Sequence, residues 1–343
     1  DDGKIHFSFI KKDDLAENQF IEVDFENSPK SYQHKFFIPA AETKDFDLQF
    51  FPEGGELIEG CENQIAFKAI ATNGYSTEIS GFIISNKTDT ITRIKSRHLG
   101  LGSFYLTPEK DKEYIATVTN PEGITKEFSL PKISLKEATL SFSQNRNSLK
   151  LSILSEGDSL KMPYYILAHS CENLLFTQKI EKPEYNIPTR NLPEGIVHFL
   201  LIDGEKHPVS SRMVFIKKPN PVSVAVLIDK ENYKKREEVS ISIILQKRDT
   251  LLRNTNFSIS VTDDQVVKID SLGDNIFSNL LLTSDIKGFV EDPAFYFQNN
   301  ADSTNQFLDY LMLTQGWQRF NLENVLQQNL PKPDYFLERG QTI

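Results

Sequence analysis

Apolar and polar residues alternate with a period of two along most of this chain, the mark of strands with one buried face. Lys4-Ile5-His6-Phe7-Ser8-Phe9, Gln19-Phe20-Ile21-Glu22-Val23-Asp24-Phe25 and residues 35–39 read this way, with turns at residues 11–14 and 27–30. Three strands make a thin sheet, so residues 1–44 are expected to form a partial β unit. Residues 45–133 are the best-defined unit. They open on the corner Phe50-Phe51-Pro52-Glu53-Gly54-Gly55, where Pro52 lacks an N–H for a ladder and the glycines permit positive φ. Short strands follow at 65–70, 81–84, 91–95, 104–106, 113–118 and 126–130, separated by Gly, Asn and Pro turns, as in a β-sandwich.

Residues 134–219 repeat the style, with strands at 138–142, 148–153, 164–170, 197–202 and 212–216, and Lys217-Lys218-Pro219-Asn220-Pro221 reads as a linker. A third sandwich with a helical insertion is expected over 220–330, with strands at 222–228, 239–245 and 257–263. There the period lengthens. Residues 275–282 suit a short helix ended near Gly288. Ser303-Thr304-Asn305-Gln306 has the form of a capping box before the apolar run 307–313, Gly316 is a terminator, and a second short helix is expected over 322–326 before Pro331. Trp317 and Phe320 are expected to pack this helical piece onto a sheet, and residues 331–343 read as a linker into a following domain. The fold class is therefore mainly β, with tandem sandwiches and a short helical segment near the C-terminus.

Composition changes this picture little. A hydrophobic content of 39% and a charged content of 25% suit a folded globular chain. The net charge of −10 argues against a nucleic-acid or anionic-membrane surface. No apolar run reaches the ~18 residues of a membrane-crossing helix. The start at Asp1-Asp2-Gly3, without a signal peptide, reads as a trimmed one, and the end at Gly340-Gln341-Thr342-Ile343 as the opening of another strand. Cys61 and Cys171 fall in different units. Two separate, partly buried thiols are the preferred reading, with an interdomain disulfide as the alternative.

Candidate chemistry is sparse. The six histidines, His6, His34, His98, His169, His198 and His207, include no i, i+3 or i, i+4 pair, so no helical metal-ligand spacing exists. His169 reads as a hydrogen-bonded core histidine. No nucleophile elbow or phosphate loop occurs, and Gly100-Leu101-Gly102 fails the dinucleotide fingerprint. The carboxylate pairs Asp13-Asp14, Asp263-Asp264 and Glu291-Asp292 fit solvated turns, with Asp263-Asp264 the best candidate for acid–base or calcium chemistry. Asp292-Pro293 favours an ordered turn before Phe295-Tyr296-Phe297, aromatics that suit packing on the helix or stacking on sugar rings.

Several stretches together resemble a family of large secreted proteins of Gram-negative bacteria that carry tandem macroglobulin-like (MG2-type) domains. They are Asp47-Leu48-Gln49-Phe50-Phe51-Pro52-Glu53-Gly54-Gly55, His98-Leu99-Gly100-Leu101-Gly102-Ser103-Phe104, Ser211-Arg212-Met213-Val214-Phe215, Leu281-Leu282-Thr283-Ser284-Asp285-Ile286-Lys287-Gly288, Glu291-Asp292-Pro293 and Leu313-Thr314-Gln315-Gly316-Trp317. Such domains often precede a carboxypeptidase-regulatory-like domain and a TonB-dependent receptor plug. A more distant resemblance is to alpha-2-macroglobulins through Asp229-Lys230-Glu231-Asn232-Tyr233 and Ser260-Val261-Thr262-Asp263, although their thioester motif is absent around Cys61.

The resemblance implies a non-enzymatic periplasmic or surface module of an outer-membrane system. It would have protein partners, no cofactor, no metal, no nucleic acid and no transmembrane segment in this chain. Two alternatives remain. One is a macroglobulin-type protein that meets proteases through the polar segment Gln298-Asn299-Asn300-Ala301-Asp302-Ser303. The other is a glycan-binding accessory.

Overall fold

The computed structural model describes the backbone of residues 20–27 and 30–37. It also describes residues 44–315 apart from 86–88, 135–137, 146, 156–162, 172, 219–221, 248–249, 253–255, 257–258, 264–265, 268–269 and 300. The chain is mainly β. Strand β1 (Phe20–Asn27) pairs antiparallel with β2 (Lys30–Phe37), with Asn27 opposite Lys30.

The first sandwich contains β3 (Phe46–Pro52), β4 (Asn63–Ala71), β5 (Ser80–Ser85), β6 (Asp89–Lys95), β7 (Leu101–Leu106), β8 (Tyr114–Thr119) and β9 (Thr125–Ser129). Its sheets run β3-β4-β7 and β6-β5-β8-β9. The alternation seen in the sequence carries Leu48, Ile65, Phe67 and Phe104 inward from one sheet, and Ile83, Ile94, Ala116 and Val118 from the other.

The second sandwich contains β10 (Ala138–Gln144), β11 (Ser148–Ser155), β12 (Tyr165–Ser170), β13 (Asn173–Lys179), β14 (Glu184–Pro188), β15 (Gly195–Ile202) and β16 (Pro208–Ile216). Its sheets are β10-β11-β14 and β13-β12-β15-β16. The wiring is that of the first sandwich, strand for strand: the first, second and fifth strands form one sheet, and the fourth, third, sixth and seventh the other. Both are seven-strand immunoglobulin-like sandwiches. The alternation predicts five of the strands here and misses β13 and β14. β13 is mostly exposed, and β14 is a five-residue strand bounded by Pro188, so neither makes a strong apolar run.

Beyond Ile216, β17 (Val222–Ile228), β18 (Ile241–Lys247) and the two-residue β19 (Thr250–Leu251) form a three-stranded sheet. Register puts Val224, Val226 and Ile228 opposite Leu245, Ile243 and Ile241, an apolar stripe along one face. The alternation predicts a strand over 257–263, yet residues 259–263 lie outside any strand and are exposed. Alternation alone does not make a strand without a neighbouring ladder, and here the chain turns at Asp263, whose carbonyl accepts from Val266 N and Val267 N.

The helical segment, expected inside a third unit over 220–330, packs instead between the first two sandwiches. Helix α1 (Ile276–Ser278) runs into a π-helical turn over Asn279–Thr283. A 3-10 turn follows at Pro293–Phe297, and then α2 (Asp302–Thr314). Leu308, Leu311 and Met312, spaced i, i+3 and i+4, form one apolar face of α2. With Leu282, Ile286 and Tyr296 they build a core that also takes Ala66 and Leu101 from the outer face of β3-β4-β7, and Ile196, Met213 and Phe215 from β15 and β16. Sheet β3-β4-β7 is thus buried on both faces, which explains the doublet Phe50-Phe51. Burying each large apolar side chain contributes roughly 1.5–3 kcal/mol, so this third core is comparable in kind to the two sandwich cores.

The capping box expected at Ser303 is not the cap of α2. The helix begins at Asp302, and the side chain of Asn299 accepts from Ala301 N at 3.0 Å and Thr304 Oγ1 at 2.7 Å. Asn299 and Ala301 are therefore tied down, and Lys217 Nζ also donates to the Asn299 carbonyl at 2.5 Å. A capping box does form one element earlier, at Asn275 with Ser278. Trp317, Phe320, Gly316 and the expected helix at 322–326 lie outside the described residues.

The corner at Pro52 joins the sandwiches. Gly54 has φ +73°, and a Cβ there would stand 2.2 Å from Thr139 Oγ1, 2.5 Å from Ser210 Oγ and 2.8 Å from the Leu140 carbonyl. Ser210 Oγ donates to the Gly54 carbonyl at 2.8 Å and accepts from Leu140 N at 3.0 Å. The neighbouring Gly55 is at φ +88°, and a Cβ there would meet nothing within 4 Å. Gly54→Ala should cost about 3 kcal/mol or more, through strain plus collision, and Gly55→Ala about 1 kcal/mol, through strain alone. Urea denaturation of the two variants checks this, and equal losses would show that the joint does not need the close approach.

Candidate functional site

The joint is built on a buried ion cluster. The Pro52 corner turns Glu53 into the second sandwich, where its carboxylate is 4% exposed. Its Oε1 accepts from Phe142 N and from Arg212 Nε, each at 3.0 Å, and its Oε2 accepts from Ser141 Oγ at 2.7 Å. The Arg212 guanidinium on β16 is 2% exposed. Its Nη2 donates to Asp309 Oδ1 on α2 at 2.7 Å, and its Nη1 donates to the Met213 carbonyl. One cation therefore ties three pieces together: the first sandwich through Glu53, the second through its own strand, and the helical segment through Asp309. Burial pushes the Glu53 carboxyl above its ordinary range against the pull of Arg212. The two carboxylates hold Arg212 firmly charged despite its burial.

A cleft of about 340 Å³ opens on the outer face of β3-β4-β7, against the loop that carries Glu291. Lys68 on β4 donates to Ser76 Oγ at 2.5 Å and to the Leu99 carbonyl at 2.7 Å. Ser76 Oγ donates in turn to Glu291 Oε2, which also accepts from Ser76 N at 3.1 Å. The chain from ammonium to hydroxyl to carboxylate neutralises the cleft floor. Burial pushes the Lys68 ammonium below its ordinary value, with Glu291 and Glu78 opposing. The turn His98-Leu99-Gly100 supplies the Leu99 carbonyl. Gly100 is at φ +67°, and a Cβ there would meet the Ala69 carbonyl at 2.4 Å, so the close approach of this turn to β4 requires glycine.

His98 sits behind the cleft, packed against Phe295 at 4.1 Å and Phe307 at 5.0 Å between ring centroids. Its Nε2 is buried with no hydrogen-bond partner among the described residues. Burial, and then the Lys68 charge, push its pKa below the ordinary 6.5. The aromatic run 295–297 thus packs inward: Tyr296 is 1% exposed, and Phe295 covers an imidazole.

The remaining sequence candidates fall elsewhere. His169 is half-buried and stacks on His198 at 4.7 Å, rather than being held by hydrogen bonds among the described residues. His198 Nε2 lies 3.4 Å from Asp285 Oδ2, so this pair faces the helical segment. Asp263 is exposed in irregular chain, and Asp264 lies outside the described residues. Glu291, read as half of a solvated turn pair, is instead a cleft residue, while Asp292 starts the Pro293 turn at φ +49°. Cys61 Sγ donates to the Ser155 carbonyl at 3.3 Å and Cys171 is exposed, so the two are not bridged. Asp13, Asp14 and His6 lie outside the described residues. Glu53 and Arg212 stand in the sequence only as motif letters; a charged residue inside the apolar run of β16 is the signal that marks Arg212.

Arg212→Met should destabilise the chain by about 3–5 kcal/mol, because it strands the Glu53 carboxylate in an apolar joint. Glu53→Met/Arg212→Met should recover part of that loss, since no buried charge is then stranded, although Phe142 N and Ser141 Oγ lose their acceptor. Urea titrations of both variants test this, and a double mutant no better than the single would refute the pairing. For His98 the unfolded chain takes up a proton first as pH falls, because the folded pKa is the lower one. Stability should therefore drop as pH falls from about 6.5 through the folded pKa. His98→Phe should reduce that slope between about pH 7.5 and about pH 5.5, leaving the part due to His169, whose pKa burial also lowers. Unfolding titrations at the two pH values measure it, and parallel slopes would remove His98 from the account.

No family profile matches the chain, and no curated protein is similar to it. Among solved structures, it is similar to alpha-2-macroglobulin from Salmonella at 9% identity and a TM-score of 0.21, with 66% of this chain and 20% of that one covered. It is similar to E. coli alpha-2-macroglobulin in its native conformation at 9% identity and a TM-score of 0.21, with 68% and 20% covered. It is also similar to invasin, a bacterial integrin-binding protein, at 10% identity and a TM-score of 0.21, with 60% and 58% covered. The chain spans about a fifth of the length of those macroglobulins.

Proposed function

We propose that this chain is a non-enzymatic extracytoplasmic module of an outer-membrane-associated assembly, related to TonB-dependent transport, in which rigidly joined sandwiches hold binding surfaces at fixed spacing. One observation carries the reading. The stretches that resemble the secreted MG2-type proteins are far apart in the sequence, yet they meet in one place. Glu53 and Gly54 contact Arg212, Ser210 and Leu140. Leu101, Met213, Phe215, Leu282, Ile286 and Leu313 share the core around α2. His98 stacks on Phe295, just after Glu291-Asp292-Pro293. These motifs therefore describe a joint between domains, and a joint maintains geometry.

Buried charge supports the same role. A buried ion cluster contributes little net stability compared with apolar packing, but it penalises any arrangement that separates its members. The module is thereby held in one orientation. The test is fractionation of the full-length gene product, tagged at its C-terminus, in the organism that encodes it. Recovery with the outer membrane, together with co-purification of a TonB-dependent receptor, is expected. Recovery in the cytosol overturns the proposal.

A further inference from the structure

We infer that the cleft between β4 and the Glu291 loop binds a short neutral oligosaccharide. Its volume of about 340 Å³ is at the small end of the ~300–1,000 Å³ range of ligand sites, large enough for a sugar unit or two. The lining carries Lys68, Glu291 and the exposed Asp47: Ser76 links the first two, Asp47 Oδ2 accepts from Gln49 Nε2 at 3.2 Å, and the excess of carboxylate disfavours an anionic ligand while accepting readily from hydroxyls. Beside these carboxylates lies amide hydrogen-bonding capacity. Gln49 and Gln315 present amides to the cleft, each both donor and acceptor, and Glu291 Oε1 accepts no hydrogen bond among the described residues. Sugar hydroxyls are likewise both donors and acceptors, and match such a floor.

The lip is aromatic. Phe289 lines the cleft and is 69% exposed. Tyr75, between the lining residues Gly74 and Ser76, is 56% exposed and meets Phe289 edge-on at 6.3 Å. Ile70, 38% exposed, extends the apolar surface along β4. Large aromatic faces held out in water beside a polar floor suit a ligand with both apolar C–H faces and hydroxyl edges. The floor is also preorganised: Lys68 is fixed by the Leu99 carbonyl, Ser76 by Glu291, and the Gln315 amide reaches the Phe289 carbonyl at 3.4 Å. This site is independent of where the protein resides, so failure of the outer-membrane proposal would leave it standing.

The experiment is saturation-transfer NMR on the whole chain with maltohexaose, cellohexaose, laminarihexaose, xylohexaose and chitotriose, followed by calorimetry of any that bind. At least one neutral oligosaccharide is expected to bind. Phe289→Ala and Tyr75→Ala, both at exposed positions, should each weaken it by about tenfold while leaving the melting temperature unchanged. Glu291→Gln should weaken it as well. Phe82→Ala, at a 46% exposed aromatic on β5 outside the cleft, should leave binding unchanged. The inference is overturned if none of the probes binds, if binding survives both lip variants, or if short peptides bind at the lip in place of the sugars.

Discussion

The guanidinium of Arg212 is the constraint on which the arrangement of this protein depends. It is removed from water in the seam between two sandwiches, where an unpaired charge would cost several kcal/mol. Two carboxylates from different parts of the chain, Glu53 and Asp309, must therefore reach it. Glu53 can do so only because Gly54 brings the corner close enough for its carbonyl to accept from Ser210. Asp309 can do so only because α2 lies along the joint. Each partner is thus tied to a backbone feature, and the ion cluster selects one relative placement of three pieces.

Apolar packing supplies the stabilising energy that this placement directs. The third core draws residues from both sandwiches and from the helical segment, and it buries faces of β3-β4-β7 and β15-β16 that would otherwise be wet. Strand β15 shows the consequence: seven of its eight residues are buried, and its sequence Gly195-Ile196-Val197-His198-Phe199-Leu200-Leu201-Ile202 reads as a nearly unbroken apolar run. The same logic holds the cleft floor. Lys68 and Glu291 come from separate elements and are neutralised through Ser76, so a polar pocket persists next to a dry core.

The period-two alternation determined the strands and the sandwich class, because a strand's side chains point to opposite faces whatever their partners are. It served poorly where burial is not one-sided. β13 and β14 have little apolar contrast, while residues 259–262 have contrast but lie outside any described strand. The helix over 302–314 was legible from its apolar density. Its start was not, since Ser303 has the form of a capping residue, yet the chain enters the helix at Ala301 without a side-chain cap and Asn299 holds the turn before it.

What the sequence by itself determined is a set of strands, a Pro-Gly corner and a group of motifs that travel together. Only the tertiary structure decided that those motifs meet. The pairing of Glu53 with Arg212 spans 159 positions, and no local preference encodes a contact at that separation. The cleft was equally hidden: Lys68 reads as the polar half of an alternating strand, and Glu291 as a charge in a turn. They become neighbours because the helical segment packs on the outer face of the first sandwich, and that choice follows from total apolar burial over the whole chain rather than from any one stretch of it.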